Sequence, residues 1–124
     1  RRKIALEYVK SLKLFTKYVK VMNKDKIKNS SCHLVILEFN FKNLKIKKDQ
    51  LLSFFLKEGF FLQQHYKPIF LFDVYKDNKR NIFPVAQVYY DTSVSFPVYF
   101  HLKKNDLSRC IRILKELINK KKII

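Results

Sequence analysis

Ala5, Val9, Leu12, Thr16 and Val19 share one face at helical spacing, with Tyr8 and Phe15 on its border. They predict a helix over residues 4–22. Residues 23–31 are polar, hold Asn23, Asp25, Asn29, Ser30 and Ser31, and read as a loop. From 32 to 42 the period changes to two. His33, Val35, Leu37, Phe39 and Phe41 alternate with Leu34, Ile36, Glu38 and Asn40, which predicts a strand covered on both faces at its start.

A second helix is expected from Asp49, whose carboxylate can cap its first turn, to Glu58. Gly59 is the one glycine of the chain and sits where a left-handed residue ends a helix. Ile69 to Lys76 alternates and predicts a strand; Asp77-Asn78-Lys79-Arg80 has turn chemistry, and Ile82 to Tyr90 is its expected hairpin partner. Pro84 would place that partner at an edge or a bulge. Val94 to Leu102 is a further expected strand, interrupted by Pro97. Asn105 or Asp106 can cap a last helix with the stripe Leu107, Cys110, Ile111, Leu114, Leu117 and Ile118. The predicted class is α+β, in the order helix-strand-helix-strand-strand-strand-helix, with a small sheet packed against helices. The division is an α+β domain over 1–104 and an amphipathic helix with a basic tail over 105–124.

Charge changes the picture. The 124 residues carry 27 basic and 10 acidic side chains, a formal charge of +17, which favours a polyanionic partner. Abundant Lys, Asn, Ile and Phe reflect an AT-rich coding bias in part, but that bias does not explain the shortage of Asp and Glu. Lys10, Lys13, Lys17 and Lys20 lie opposite the apolar face of the first helix, and Lys45, Lys47 and Lys48 precede the second. Lys79 and Arg80 stand at the expected hairpin tip. These nine are the candidate phosphate contacts; a merely solvated outer face is the plainer reading of the first four.

Candidate chemistry is sparse. Cys32 and Cys110 form no C-x-x-C pair, and His33, His65 and His101 lack ligand spacing. Asp73 and Lys76 are the nearest approach to a nuclease-like pair, and a hairpin residue with a solvated neighbour explains them more simply. No phosphate loop or nucleophile elbow occurs, and no apolar run is long enough to span a membrane. The expectation is a protein that is not an enzyme, with no cofactor, no metal and no small-molecule substrate.

The run Leu51, Phe54, Phe55, Glu58, Gly59, Phe60, followed by Val98-Tyr99 and Asp106-Leu107, resembles the first domain of bacterial-type small-subunit ribosomal protein eight. The resemblance covers roughly residues 6–110, and Lys45-Ile46-Lys47 falls where that family carries Ser-Lys-Leu-Lys. It lacks the family's second domain, with its Ser-Thr-x-x-Gly loop. The resemblance implies a structural constituent of a mitochondrial small ribosomal subunit, with plastid placement as the alternative. The implied partners are small-subunit rRNA, held by the nine basic residues, and neighbouring ribosomal proteins. The rival reading is a peripheral subunit of an organellar membrane complex that lays the same basic faces on anionic lipid. A DNA-binding domain of a mobile element is a third, without helix-turn-helix spacing to support it.

Overall fold

The computed structural model describes residues 1–75 and 83–122, with the side chains of 121 and 122 left aside. It is α+β. The helices are α1 (Arg2–Leu12), α2 (Phe41–Leu44), α3 (Lys48–Lys57), α4 (Pro84–Thr92) and α5 (Lys104–Lys122). The strands are β1 (Val19–Val21), β2 (Val35–Phe39) and β3 (Ser93–Phe96). They form one antiparallel sheet in the order β1-β2-β3, with Val19 opposite Phe39 and Val35 opposite Phe96.

The sheet forms where alternation is strongest. Val35, Leu37 and Phe39 of β2 are buried while Glu38 is exposed. Tyr8, Phe39 and Phe55 put rings from α1, β2 and α3 around Phe96 of β3, with centroids 6.0, 5.9 and 5.3 Å away. These separations suit edge-on and offset aromatic packing. The α5 stripe adds Leu107, Cys110, Ile111, Leu114 and Ile118 to the same core. The Tyr8 hydroxyl donates to the Pro97 carbonyl at 3.2 Å, and burial pushes its pKa upward. Burial also pushes the free Cys110 thiol up to about 11, so it stays protonated and packs as a small apolar group.

Several elements differ from the sequence expectation, so the predicted order does not hold in detail. The expected loop 23–31 holds a 3-10 helix, Lys24–Asn29, and the expected strand 32–42 gives way to α2 at Phe41. Asn105 and Asp106 lie inside α5 rather than capping it. The helix expected over 4–22 stops at Leu12. A 3-10 turn, Lys13–Phe15, comes next, and Tyr18 N–H closes on the Phe15 carbonyl at 2.8 Å. Val19 and Val21 then adopt a strand because β2 offers them an edge, and β-branched residues suit that surface. The strand expected over 69–76 is two 3-10 turns, Ile69–Leu71 and Asp73–Tyr75. Their amides are satisfied locally, Leu71 by Pro68 and Tyr75 by Phe72, both at 2.9 Å. The expected hairpin partner is α4. Pro84 occupies its first turn, where a missing N–H costs nothing, rather than an edge strand. The strand expected over 94–102 ends at Phe96, before Pro97. The turn 77–80 lies outside the described residues.

Helix α3 is capped two positions earlier than Asp49. Lys47 is its N-cap, and Gln50 Oε1 accepts from the Lys47 N–H at 2.8 Å. Its end is a Schellman motif. Gly59 N–H donates to Leu56 at 3.0 Å, Phe60 N–H donates to Phe55 at 2.8 Å, and the rings of Phe55 and Phe60 pack together. Arg109 of α5 closes this end. Its Nη1 donates to the Glu58 carbonyl at 2.9 Å, and its guanidinium lies 4.5 Å from the Phe60 ring centre.

Gly59 has φ +79°, and a Cβ there would meet Arg109 Nη2 at 3.9 Å, an ordinary contact. The cost of Gly59→Ala is therefore conformational alone. Urea denaturation should show a loss of about 1–2 kcal/mol, partly recovered by Gly59→Asn. A loss above about 4 kcal/mol would point to a clash or a broken core instead.

Candidate functional site

The segment after Gly59 leaves the core as Phe60-Phe61-Leu62-Gln63-Gln64-His65 and runs beside β3. Gln63 and Ser95 form an antiparallel bridge: Ser95 N–H donates to Gln63 at 2.7 Å and Gln63 N–H donates to Ser95 at 3.3 Å. Just beyond the bridge, His65 Nδ1 and Ser95 Oγ are 2.7 Å apart. The Tyr89 hydroxyl of α4 donates to the His65 carbonyl at 2.9 Å. The histidine is thus held at ring and backbone, with Nε2 the ring atom left for a further partner.

A cleft of about 500 Å³ opens here. Arg1, His33, Phe61, Gln63, His65, Ser95 and Tyr99 contribute to its wall. Arg1 Nη1 lies 3.4 Å from His33 Nδ1. Phe61 and Tyr99 are exposed aromatic walls. A histidine beside a serine hydroxyl suggests acyl chemistry, but the cleft wall holds no carboxylate to orient the imidazole. The arrangement suits binding: aromatic walls with a few fixed donors and acceptors. In the sequence His65 is a lone histidine without ligand spacing. The polar run Gln63-Gln64-His65 between apolar stretches is the one local signal that marks it.

A second hub lies behind it. The Tyr90 carbonyl accepts from both Lys48 Nζ and Gln64 Nε2, and Lys48 Nζ also sits 4.9 Å from the Tyr90 ring centre. Desolvation lowers the Lys48 pKa to about 8, against the opposing pull of Asp91 and Asp49. Among the candidate basic residues, Lys17, Lys20, Lys47 and Lys48 line one groove with Lys42. Lys10 and Lys13 are exposed and lie outside it, and Lys45 sits in a left-handed turn after α2. Lys79 and Arg80 fall outside the described residues.

The described residues 61–75 and 83–88 are unusually rich in exposed apolar side chains. Of fourteen exposed large apolar side chains among the described residues, nine lie there, including Ile69, Val74, Phe83 and Val85. A soluble monomer rarely leaves so much apolar surface uncovered in one stretch of chain.

The profile of the DegT/DnrJ/EryC1/StrS aminotransferase family matches residues 1–115. No curated protein matches in sequence. Among solved structures, PseC of Helicobacter pylori, an aminotransferase involved in pseudoaminic acid biosynthesis, aligns with TM-score 0.78 and 22% identity, over 95% of this chain and 32% of PseC. DesI, solved with its TDP-sugar product, aligns with TM-score 0.84 and 17% identity, over 98% of this chain and 31% of DesI. The PLP-form of a putative sugar aminotransferase from Streptococcus pneumoniae gives TM-score 0.74 and 18% identity, over 97% and 32%. This chain therefore spans about a third of the length of these structures.

These findings overturn the ribosomal resemblance. The ribosomal role, the rRNA and ribosomal-protein partners and the non-enzyme expectation all give way to an aminotransferase family; the organellar membrane alternative gains no support. The physical reason is local. Glu58-Gly59-Phe60 is a Schellman cap, which any helix turning into an extended segment can use.

Lys48 makes stability depend on pH. Its folded pKa of about 8 lies below the ordinary 10.5. Between those values the unfolded chain holds a proton that the folded chain has released, so stability rises with pH across that window. Denaturation from pH 7.5 to 10.5 should show that rise in the native protein and a smaller one in Lys48→Met. Parallel profiles would refute the assignment.

Proposed function

Because this chain belongs to the DegT/DnrJ/EryC1/StrS aminotransferase family, we propose that it forms one wall of a sugar aminotransferase, with its His65 cleft turned toward the substrate. The observation that carries the reading is the set of exposed apolar side chains at residues 61–75 and 83–88, of which Phe61 lines that cleft. Aminotransferase neighbours are about three times as long, which supports a reading in which the remainder of such a fold covers these side chains. The finer architecture is then part of a larger aminotransferase fold.

One solved neighbour is described in a PLP-form. Bound pyridoxal phosphate supplies an electron sink for amino-group transfer. Holding it takes a lysine amine for the imine and a partner for the pyridine nitrogen. The His65 cleft is lined by neither a lysine nor a carboxylate. Lys48, the amine nearest to neutrality, is committed to the Tyr90 carbonyl. The residues of the His65 cleft do not fit the cofactor.

What this chain contributes is substrate positioning. Ser95 and Tyr89 fix the His65 ring and backbone, and Nε2 is available to a sugar hydroxyl or a phosphate oxygen. Phe61 and Tyr99 offer apolar faces for a sugar or a base. DesI carries a TDP-sugar, and a nucleotide-linked keto sugar is the substrate class we assign.

In the complete enzyme, His65→Ala should lower kcat/KM for a nucleotide-linked keto sugar by roughly 10- to 100-fold, the value of one or two hydrogen bonds to a charged group. The cofactor's absorbance should remain. Val85→Glu with Val88→Glu should abolish association with the remainder of the enzyme while leaving the melting temperature of this chain unchanged. Full activity of His65→Ala would remove the cleft from the substrate site, and undiminished association of the double variant would remove the apolar face.

A further inference from the structure

The groove that gathers the lysines is not explained by the aminotransferase reading. It encloses about 920 Å³ and shares no lining residue with the His65 cleft. Lys17 comes from the approach to β1, Lys20 from β1, Lys42 from α2, Lys47 from the turn before α3 and Lys48 from its first position. The fold thus brings five lysines from five places to the lining of one concave surface, with the Lys48 ammonium turned to the Tyr90 carbonyl outside it. Two carboxylates, Glu38 and Asp91, line it as well. Glu38 stands across the sheet from Lys20, yet no ion pair joins them. Among the described residues none of Lys17, Lys20, Lys42 or Lys47 is held in a salt bridge, and Lys48 bonds a neutral carbonyl.

Lys17, Lys20, Lys42 and Lys47 against two carboxylates leave the groove net positive, and like charges sharing one concavity repel. A ligand with several negative oxygens on adjacent phosphorus atoms relieves that repulsion at several lysines at once, whereas a single carboxylate reaches one or two. The space exceeds what one phosphate fills. Lys10 and Lys13, on the outer face of the chain, do not reach it, so the site is a pocket rather than a stripe along a polymer.

We propose that this groove binds a small polyphosphate anion, either inorganic or the polyphosphate of a nucleotide, through Lys17, Lys20, Lys42 and Lys47. The site shares no lining residue with the substrate cleft and stands whether or not the transaminase reading holds.

Isothermal titration of the 124-residue chain with inorganic diphosphate and, separately, with ADP tests it. Each should saturate a single site, with affinity falling as salt rises. Lys42→Gln with Lys47→Gln should weaken binding by about tenfold or more, the scale of lost charge-assisted bonds. Lys10→Gln with Lys13→Gln removes the same charge elsewhere and should change it less than about twofold. Both pairs are exposed, and unchanged thermal melts would certify their folds. Tighter binding of ADP supports a nucleotide; equal binding supports recognition of the phosphates alone. No saturable binding, or equal weakening in the two double variants, would overturn the proposal.

Discussion

Everything in this chain is built on the burial of one short strand. All four residues of β3 are buried, and two of them, Ser93 and Ser95, are polar. A buried strand must satisfy its backbone on both edges, because an unpaired amide away from water costs about 1–3 kcal/mol. One edge is met by β2. The other is met by Gln63, an isolated bridge in a segment with no other strand character. That requirement draws the chain after Gly59 back onto the sheet. The Ser95 hydroxyl needs a partner too, and His65 supplies it. The cleft is thus a consequence of how β3 is kept dry, and Phe96, between rings from three elements, fixes β3 in the core.

The features legible in the sequence are those encoded within one element. The α5 stripe, the alternation of β2 and the left-handed Gly59 each carry their own periodicity or backbone demand, and each lies near its expected place. At the start of α3 the cap is Lys47 with Gln50 as its partner, two positions from the expected Asp49 and within the same turn. Residues 69–75 depart from their pattern for a different reason: their amides are met locally, and Ile69–Leu71 and Asp73–Tyr75 close 3-10 turns. Pro84 is ambiguous without its tertiary surroundings: it forbids a central strand and favours a first helical turn equally well.

The site is less legible than the fold. His65 gains its meaning from Ser95 and Tyr89, which are 30 and 24 residues away. No local spacing announces that. The lysines show the converse case. Lys17, Lys20, Lys47 and Lys48 stand out for their charge, but a helix over 4–22 would have spread the first two along its outer face. The break after Leu12 turns them instead toward α2 and the start of α3.

The polar straps that position His65 are coupled to whatever covers the apolar surface beside them. Gln64 and Lys48 both donate to the Tyr90 carbonyl, and Tyr89 donates to His65, all at partly buried positions where water still competes. Hydrogen bonds strengthen as the local dielectric falls. A protein surface laid over Phe83, Val85 and Val88 of the segment leading into and along α4 would dry the helix that carries both acceptor and donor. The same drying raises the desolvation already acting on Lys48. Under the proposed reading, docking and alignment of the histidine would be one process: covering the apolar face would tighten the straps that hold His65, and a mobile α4 would loosen both together.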